Sequence, residues 1–328
     1  MPNTKPDHCG VCAGVTELVW REDHREYSLW ECGYCQAQFW SPMKNPGAEW
    51  YEKDERYSFR NLNPLRKPER NHREFLKDSQ SLISKSPRLL DVGMGTGNFL
   101  AVAVDRGYDG YGLDFDRDAI EAAQTFFGLK NVYALNLDEA FQKFGAGFFD
   151  VITFFEVVEH LENPGEFLEK AKKLLKPDGY MAISVPHRRN FEFMKVHDKP
   201  PRHLTRWNET AMRNFLAQHG FSVVRFKAIP ATIPFLITKF HFWFKGIFSF
   251  GLVQKISKSG SHSEQSEESR EILQSRVSFR MTNKKIKLLQ LLARAKDYIL
   301  FFIPAFFLWL FLLLSGRRLG LYVLAKKS

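Results

Sequence analysis

The chain has 328 residues, enough to bury one large core with smaller attachments. Its formal charge of +10 is confined to one end: from Arg270 onward 12 Lys/Arg stand against 2 Asp/Glu, leaving 35 of each before it. A neutral main body speaks against a nucleic-acid enzyme, which would carry its basic surface on the folded domain. A basic excess flanking a hydrophobic run suits anionic lipid head groups instead.

Residues 1–8 are polar and contain proline, so no secretory signal is expected and a reducing cytoplasm is the simplest home for paired thiols. All 4 cysteines fall in the first 35 residues, as Cys9-Gly-Val-Cys12 and Cys32-Gly-Tyr-Cys35, with 19 residues between the pairs. Two tight turns with two thiolates each can close a tetrahedral Zn²⁺ site, and the β-type runs Leu18–Trp20 and Tyr27–Trp30 complete a zinc ribbon over residues 1–43. Unpaired thiols or an iron–sulfur site use the same residues. A closed four-thiolate site has no open position, so it carries no catalysis, and a ribbon this small needs its metal to fold.

Residues 44–85, with Trp50, Tyr51 and Tyr57, read as a helical lid or linker, helical over Arg70–Ser84. From residue 86 to 228 strands and helices alternate. The expected strands are Leu89–Val92, Gly110–Leu113, Val132–Leu135, Phe149–Phe155, Tyr180–Val185 and Phe221–Lys227. The expected helices are Asn98–Arg106, Arg117–Phe127, Pro164–Leu175 and Asn208–His219. Apolar strands alternating with helices predict an α/β fold, Rossmann-like and doubly wound, with a mostly parallel sheet. Such sheets bind ligands at the carboxyl ends of their strands, where strand order reverses.

Asp91-Val92-Gly93-Met94-Gly95-Thr96-Gly97-Asn98 is strand, glycine loop and helix start. The glycines let the backbone turn sharply and approach a ligand. Asp114 ends the next strand, where a carboxylate can take both hydroxyls of a ribose. A dinucleotide fingerprint would need glycine at Asn98, and Asp91 would repel phosphates while suiting a ligand that bears an ammonium and a sulfonium.

With these residues in place, the chain resembles the class I S-adenosylmethionine-dependent methyltransferases, in particular the quinone O-methyltransferases and cell-surface saccharide methyltransferases. The resemblance rests on Leu89–Leu100, Phe149–Leu161, Leu174–Pro186 and Pro200–Trp207. It implies that Asp91 and the Gly93–Gly97 backbone, with Met94, Gly95 and Asn98, hold the methionine part of the donor. Asp114 would take the ribose, Phe115 flank the adenine, and Asn136 and Leu137 approach its edge. Phe155 and Glu156 would face donor and acceptor. Asn136 departs from the family pattern, which often has Asp there. The resemblance also implies a seventh, antiparallel strand, for which Gly320–Lys327 is the candidate within residues 319–327.

The donor arrives activated, so the protein must align the reactants and remove a proton from the acceptor. Candidate bases are Glu156, His160, His187 and His203; a neutral histidine with pKa of about 6.5 suits an alcohol, phenol or amine. Some similar quinone O-methyltransferases hold a divalent cation with two acids and a histidine, which here would be Glu156, Glu159 and His160. Elsewhere in the superfamily the same string merely ends a strand. His72, His197, His219, His241 and His262 read as structural or solvated.

Residues 229–318 read as an insertion before the seventh strand. Ile229–Ile256 is phenylalanine-rich but carries Lys239, His241 and Lys245, and residues 257–270 form a Ser/Glu-rich flexible linker. Tyr298–Leu314 holds 17 uncharged residues, which at about 1.5 Å each come close to a bilayer core of about 30 Å. If Gly320–Lys327 rejoins the sheet, the chain must return to the cytoplasmic side, which points to in-plane or re-entrant helices; one span at 298–315 is the alternative. The expected function is methylation of an oxygen on a membrane-associated acceptor: a polyprenyl-linked saccharide, a quinone precursor or a lipid head group. An RNA or protein methyltransferase that reads its substrate with the ribbon is a second reading. A non-catalytic membrane scaffold is a third, opposed by the intact loop glycines and Asp114.

Overall fold

The computed structural model describes residues 5–15, 17–47, 50, 68–79, 86–188, 199–237 and 301–328. Most of the expected lid, most of Ile229–Ile256, the linker at 257–270, the basic stretch Lys284–Lys296 and the first residues of the uncharged run lie outside them. The chain divides into two compact units, Met1–Ile229 with Arg318–Ser328, and Pro230–Arg317.

The first unit opens with a meander of β1 (Leu18–His24), β2 (Tyr27–Cys32) and β3 (Gln38–Ser41). Then come α1 (Arg70–Asp78), β4 (Arg88–Val92), α2 (Asn98–Asp105), β5 (Asp109–Leu113), α3 (Arg117–Phe127) and β6 (Val132–Tyr133). The chain continues through α4 (Leu137–Phe144), β7 (Phe149–Phe155), a 3₁₀ turn at Val158–His160, α5 (Pro164–Leu174) and β8 (Leu175–Pro186). Last are β9 (Thr205–Arg206), α6 (Glu209–Gln218), β10 (Phe221–Ile229) and β11 (Gly320–Lys327). Helix starts follow local chemistry. Asp116 caps α3 through the N–H groups of Asp118 and Ala119, and Asn163 caps α5 with Pro164 in its first turn.

Seven strands form one sheet in the order β10-β11-β8-β7-β4-β5-β6. Strands β4 to β8 pair in parallel, and β11 is inserted antiparallel between β8 and β10. The period-2 alternation of strands divides neighbours between the two faces. Leu90, Ile152, Ile183 and Val323 face one core, while Leu89, Val151, Ala182 and Tyr322 face the other. Strand order reverses at β4, which lies between β5 and β7. The ribbon strands make a second sheet, β1-β2-β3-β9, and β9 comes from a segment that reads as a loop in sequence. The interior of the ribbon is continuous with one sheet face: Val11, Trp30 and Phe39 share a core with Met212 and Phe215 of α6.

In the second unit, residues 301–314 are helical. Ala305 and Leu312 are buried, whereas Phe302, Ile303, Phe307, Phe311 and Leu314 are exposed. Gly316, in the left-handed region at φ +64, follows the helix, with Arg317 N–H bonded back to the Leu312 carbonyl. Among the described residues, no helix is long and apolar enough to cross a membrane.

Candidate active site with a donor pocket and an acceptor wall

At the carboxyl end of β4 the chain turns through Gly93, whose N–H bonds the Leu113 carbonyl at 2.8 Å. Gly97 caps α2 at φ +74, and a Cβ there would meet Leu129 at 2.7 Å, so that position is closed to other residues. The loop borders a cavity of about 770 Å³ at the strand-order reversal. Two acids lie in its wall. Asp91 is 3% exposed and accepts a hydrogen bond from Thr153 Oγ1 at 2.6 Å. Burial pushes its pKa up to about 7 against the pull of that bond, with the Asp114 charge adding to the rise. Asp114 accepts from Gly95 N–H at 2.7 Å and Asp116 N–H at 3.0 Å, and burial raises its pKa as well. Two desolvated carboxylates beside a glycine cradle fit a cationic ligand with hydroxyls, which is the chemistry of S-adenosylmethionine.

Asp91, Gly93, Met94, Gly95, Asn98, Asp114, Phe115, Asn136, Leu137 and Phe155 all line this cavity. Gly97 does not; it serves the cap behind the loop. Asn136 borders the cavity, but its Oδ1 accepts from Asp138 and Glu139 N–H, so the side chain is engaged in capping α4. Helix α1 adds two residues that sequence reading passed over. The His72 ring packs 5.0 Å from Phe99 and 4.9 Å from Phe155, on the cavity wall, and its Nδ1 accepts from Glu69 N–H at 3.1 Å. Of the two readings, structural or solvated, it is the structural one that also reaches the cavity. Asn71 donates to Ser184 Oγ at 2.7 Å. Their signal was a polar pair on the same helical stripe as the buried Phe75 and Leu76.

Glu156 follows β7 with a left-handed backbone (φ +59), a strained state for a side-chain-bearing residue. Its N–H bonds the Ser184 carbonyl at 2.9 Å, and Ser184 Oγ donates to its carboxylate at 2.9 Å, which fixes Glu156 on the cavity wall. His160 also lines the cavity. Its Nδ1 lies 2.6 Å from the Arg202 carbonyl, which requires the tautomer with the proton on Nδ1. Burial holds this imidazole neutral, with its pKa pushed down to about 3.

The other two expected bases lie off the cavity wall. His203 packs behind His160, ring centroids 4.8 Å apart, and His187 forms an isolated bridge with Trp207. The expected cation set is also regrouped. Glu159, His160 and His203 bring ligand atoms within 4.8 Å of one another, whereas Glu156 is turned toward Ser184 and is not among them. The cause is local: the left-handed residue and the 3₁₀ turn after it send Glu156 and Glu159 to different sides.

The four cysteines converge at the base of the ribbon. Cys9 and Cys35 Sγ lie 3.8 Å apart, as do Cys12 and Cys32 Sγ. A Zn–S bond of about 2.3 Å gives a tetrahedron with edges of about 3.8 Å, so the set fits the metal. The two knuckles repeat one geometry: Ala13 N–H bonds the Cys9 carbonyl and Gln36 N–H the Cys32 carbonyl, each from a left-handed residue.

The family described as a methyltransferase domain matches residues 57–225, half of the chain. The chain belongs to that family, and its class is that of the S-adenosylmethionine-dependent methyltransferases. Among curated relatives, the ubiquinone biosynthesis O-methyltransferase of Caulobacter sp. (strain K31) is 38% identical over 104 residues, 31% of this chain and 41% of that protein. Its counterpart in Vibrio cholerae serotype O1 (strain M66-2) is 30% identical over 130 residues, 39% of this chain and 50% of that protein. The chain thus spans about half the length of the curated relatives it matches. The structure of Haemonchus contortus phosphoethanolamine N-methyltransferase 2, in complex with S-adenosyl-L-methionine, superposes with a TM-score of 0.50 at 15% identity. It covers 85% of this chain and 59% of that chain, a likeness of fold alone.

Proposed function

We propose that the chain transfers the methyl group of S-adenosylmethionine to an oxygen of a small, lipid-like acceptor held at a membrane surface. The observation that carries the reading is one cavity lined both by Asp91 and Asp114 and by Glu156 and His160. The bound donor supplies a methyl group already activated on a cationic sulfur. Asp91 faces the donor's positive charge, Asp114 accepts the ribose hydroxyls, and Phe115, more than half exposed, offers a ring to the adenine. Glu156 stands where the acceptor proton must leave, while His160, held neutral, orients the wall behind it. The printed names of the ubiquinone biosynthesis relatives support oxygen as the target and a lipid-like acceptor.

The membrane part of the reading rests on the exposed phenylalanines of residues 301–314, together with the basic excess after Arg270. Within the first unit, the chain leaves β10 and enters β11 at the carboxyl edge of the sheet. Leu319 N–H bonds the Ile229 carbonyl at 2.8 Å, and His187 N–H bonds the Leu319 carbonyl at 2.9 Å. An in-plane helix at the cytoplasmic face would keep the protein near lipid-borne acceptors. Zinc, bound by Cys9, Cys12, Cys32 and Cys35, is assigned a structural role.

The test incubates full-length protein with methyl-labelled S-adenosylmethionine and either a membrane extract or a soluble extract of the host. Label is expected in the organic phase of the membrane reaction, as a mass gain of about 14 Da on an oxygen-bearing lipid. Label only in RNA or protein would replace this acceptor class with the ribbon-reader alternative. Absence of donor binding by calorimetry would remove the enzyme reading altogether.

A further inference from the structure

We propose that the cysteine ribbon is a positioning element of the acceptor wall, and that its metal holds the segment 202–207 in place while the donor pocket forms without it. The segment is a thin layer with hydrogen bonds on both sides. Toward the ribbon, β9 pairs with β3, Gln38 opposite Arg206 and Phe39 opposite Thr205, and Trp40 N–H bonds the Leu204 carbonyl at 2.8 Å. Toward the catalytic turn, Leu204 N–H bonds the Glu159 carbonyl at 2.7 Å, and the Arg202 carbonyl holds His160 Nδ1 at 2.6 Å. His203, between these anchors, packs on the His160 ring.

Charge pairs fasten the same layer. Arg206, 6% exposed, reaches Glu22 at 2.8 Å and lies over the Trp40 ring at 5.1 Å. Arg188, just after β8, reaches Glu31 at 3.3 Å and the Gln36 carbonyl at 3.0 Å, inside the second cysteine knuckle. Asn214 of α6 donates to the Cys35 carbonyl at 3.5 Å. The buried Arg206 needs its partners in position, since an unpaired buried charge is costly.

A two-residue strand cannot hold itself, because isolated short pairs are marginal in water. It takes its order from β3, and β3 belongs to a ribbon whose small core needs its metal to stay folded. The sequence of dependence therefore runs from the four thiolates to β3, to β9, and to the His160–His203 pair. None of these contacts involves Asp91, Gly95 or Asp114, whose bonds stay within β4, β5, β6, β7 and the loops after them.

The experiment compares full-length protein carrying one zinc per chain with protein stripped by a chelator under reductant, read by amide exchange and by calorimetry with S-adenosylhomocysteine. On stripping, amides of 202–207 should exchange at least about tenfold faster, with β4 and β5 within about twofold, and adding zinc back should restore them. Affinity for S-adenosylhomocysteine should stay within about threefold. Cys12→Ser, which removes one thiolate, should reproduce the stripped pattern. The proposal is overturned if 202–207 keeps its protection after the metal is lost from either protein. It is equally overturned if β4 and β5 lose protection in step and ligand binding disappears. A zinc-loaded protein that fails to bind S-adenosylhomocysteine would remove the methyltransferase reading, while the exchange data would still decide this one.

Discussion

Two parts of the cavity wall, the one proposed for the donor and the one proposed for the acceptor, are built in opposite ways. The donor part comes from near-contiguous chain: one strand, its glycine loop and the acid that closes the next strand, Asp91 to Asp114. The part proposed for the acceptor is assembled from the turn at 156–160, Ser184 and Asn71 behind Glu156, and the segment 202–207 backed by the ribbon. A site made of local turns can tolerate change elsewhere. One made of four distant segments fails whenever any support is removed.

The largest effect should come from Glu156→Gln, which keeps the Ser184 hydrogen bond but removes the proposed base. Turnover should fall by about 100-fold or more with donor affinity within about twofold. His203→Ala, one layer behind the wall, should lose only about tenfold; equal losses would place both residues at the acceptor. Next is Asp114→Ala, expected to weaken donor binding by about 30- to 100-fold in calorimetry, since a charged acceptor of two hydrogen bonds is lost. Unchanged affinity would break the assignment of the donor part.

A third measurement uses pH. Folded Asp91 has its pKa raised to about 7, against an ordinary value of about 3.9 in the unfolded chain. Its contribution to stability is therefore fully present below about pH 4 and lost as pH rises through about 7. A cationic donor favours the ionised form, so binding should release a proton below about pH 7 and tighten up to tenfold per pH unit until it levels off. Asp114, raised in the same direction, adds to the slope. Calorimetry in buffers of different ionisation heat would read the proton, and Asp91→Asn should flatten the curve. The smallest effect is expected from Lys227→Met. Lys227 on β10 pairs with Glu74 and Asp78 at 2.8 and 2.9 Å, holding α1 on the sheet. The pair is partly exposed, so a loss of about 1 kcal/mol or less and a two- to threefold weaker donor affinity are expected.

The sequence by itself determined the sheet and the donor part of the wall. Alternating apolar strands and helices, the glycine loop, Asp91 and Asp114 are read from neighbours a few residues apart, where backbone and side-chain chemistry act locally. Helix α4 was missed although its signals are local: Asn136 and Glu139 form a capping box, and Leu137, Ala140, Phe141 and Phe144 follow at helical spacing. Only the tertiary structure decided the part proposed for the acceptor. Pro200–Trp207 has no strand signal of its own, and Thr205 and Arg206 become a strand because β3 offers an edge to pair with. His72 and Asn71 reach the cavity because α1 packs over the sheet. The Asn71–Ser184 bond and the Phe39–Thr205 pairing join residues more than a hundred positions apart, and no local preference encodes them. They exist once a packed core has brought those segments together.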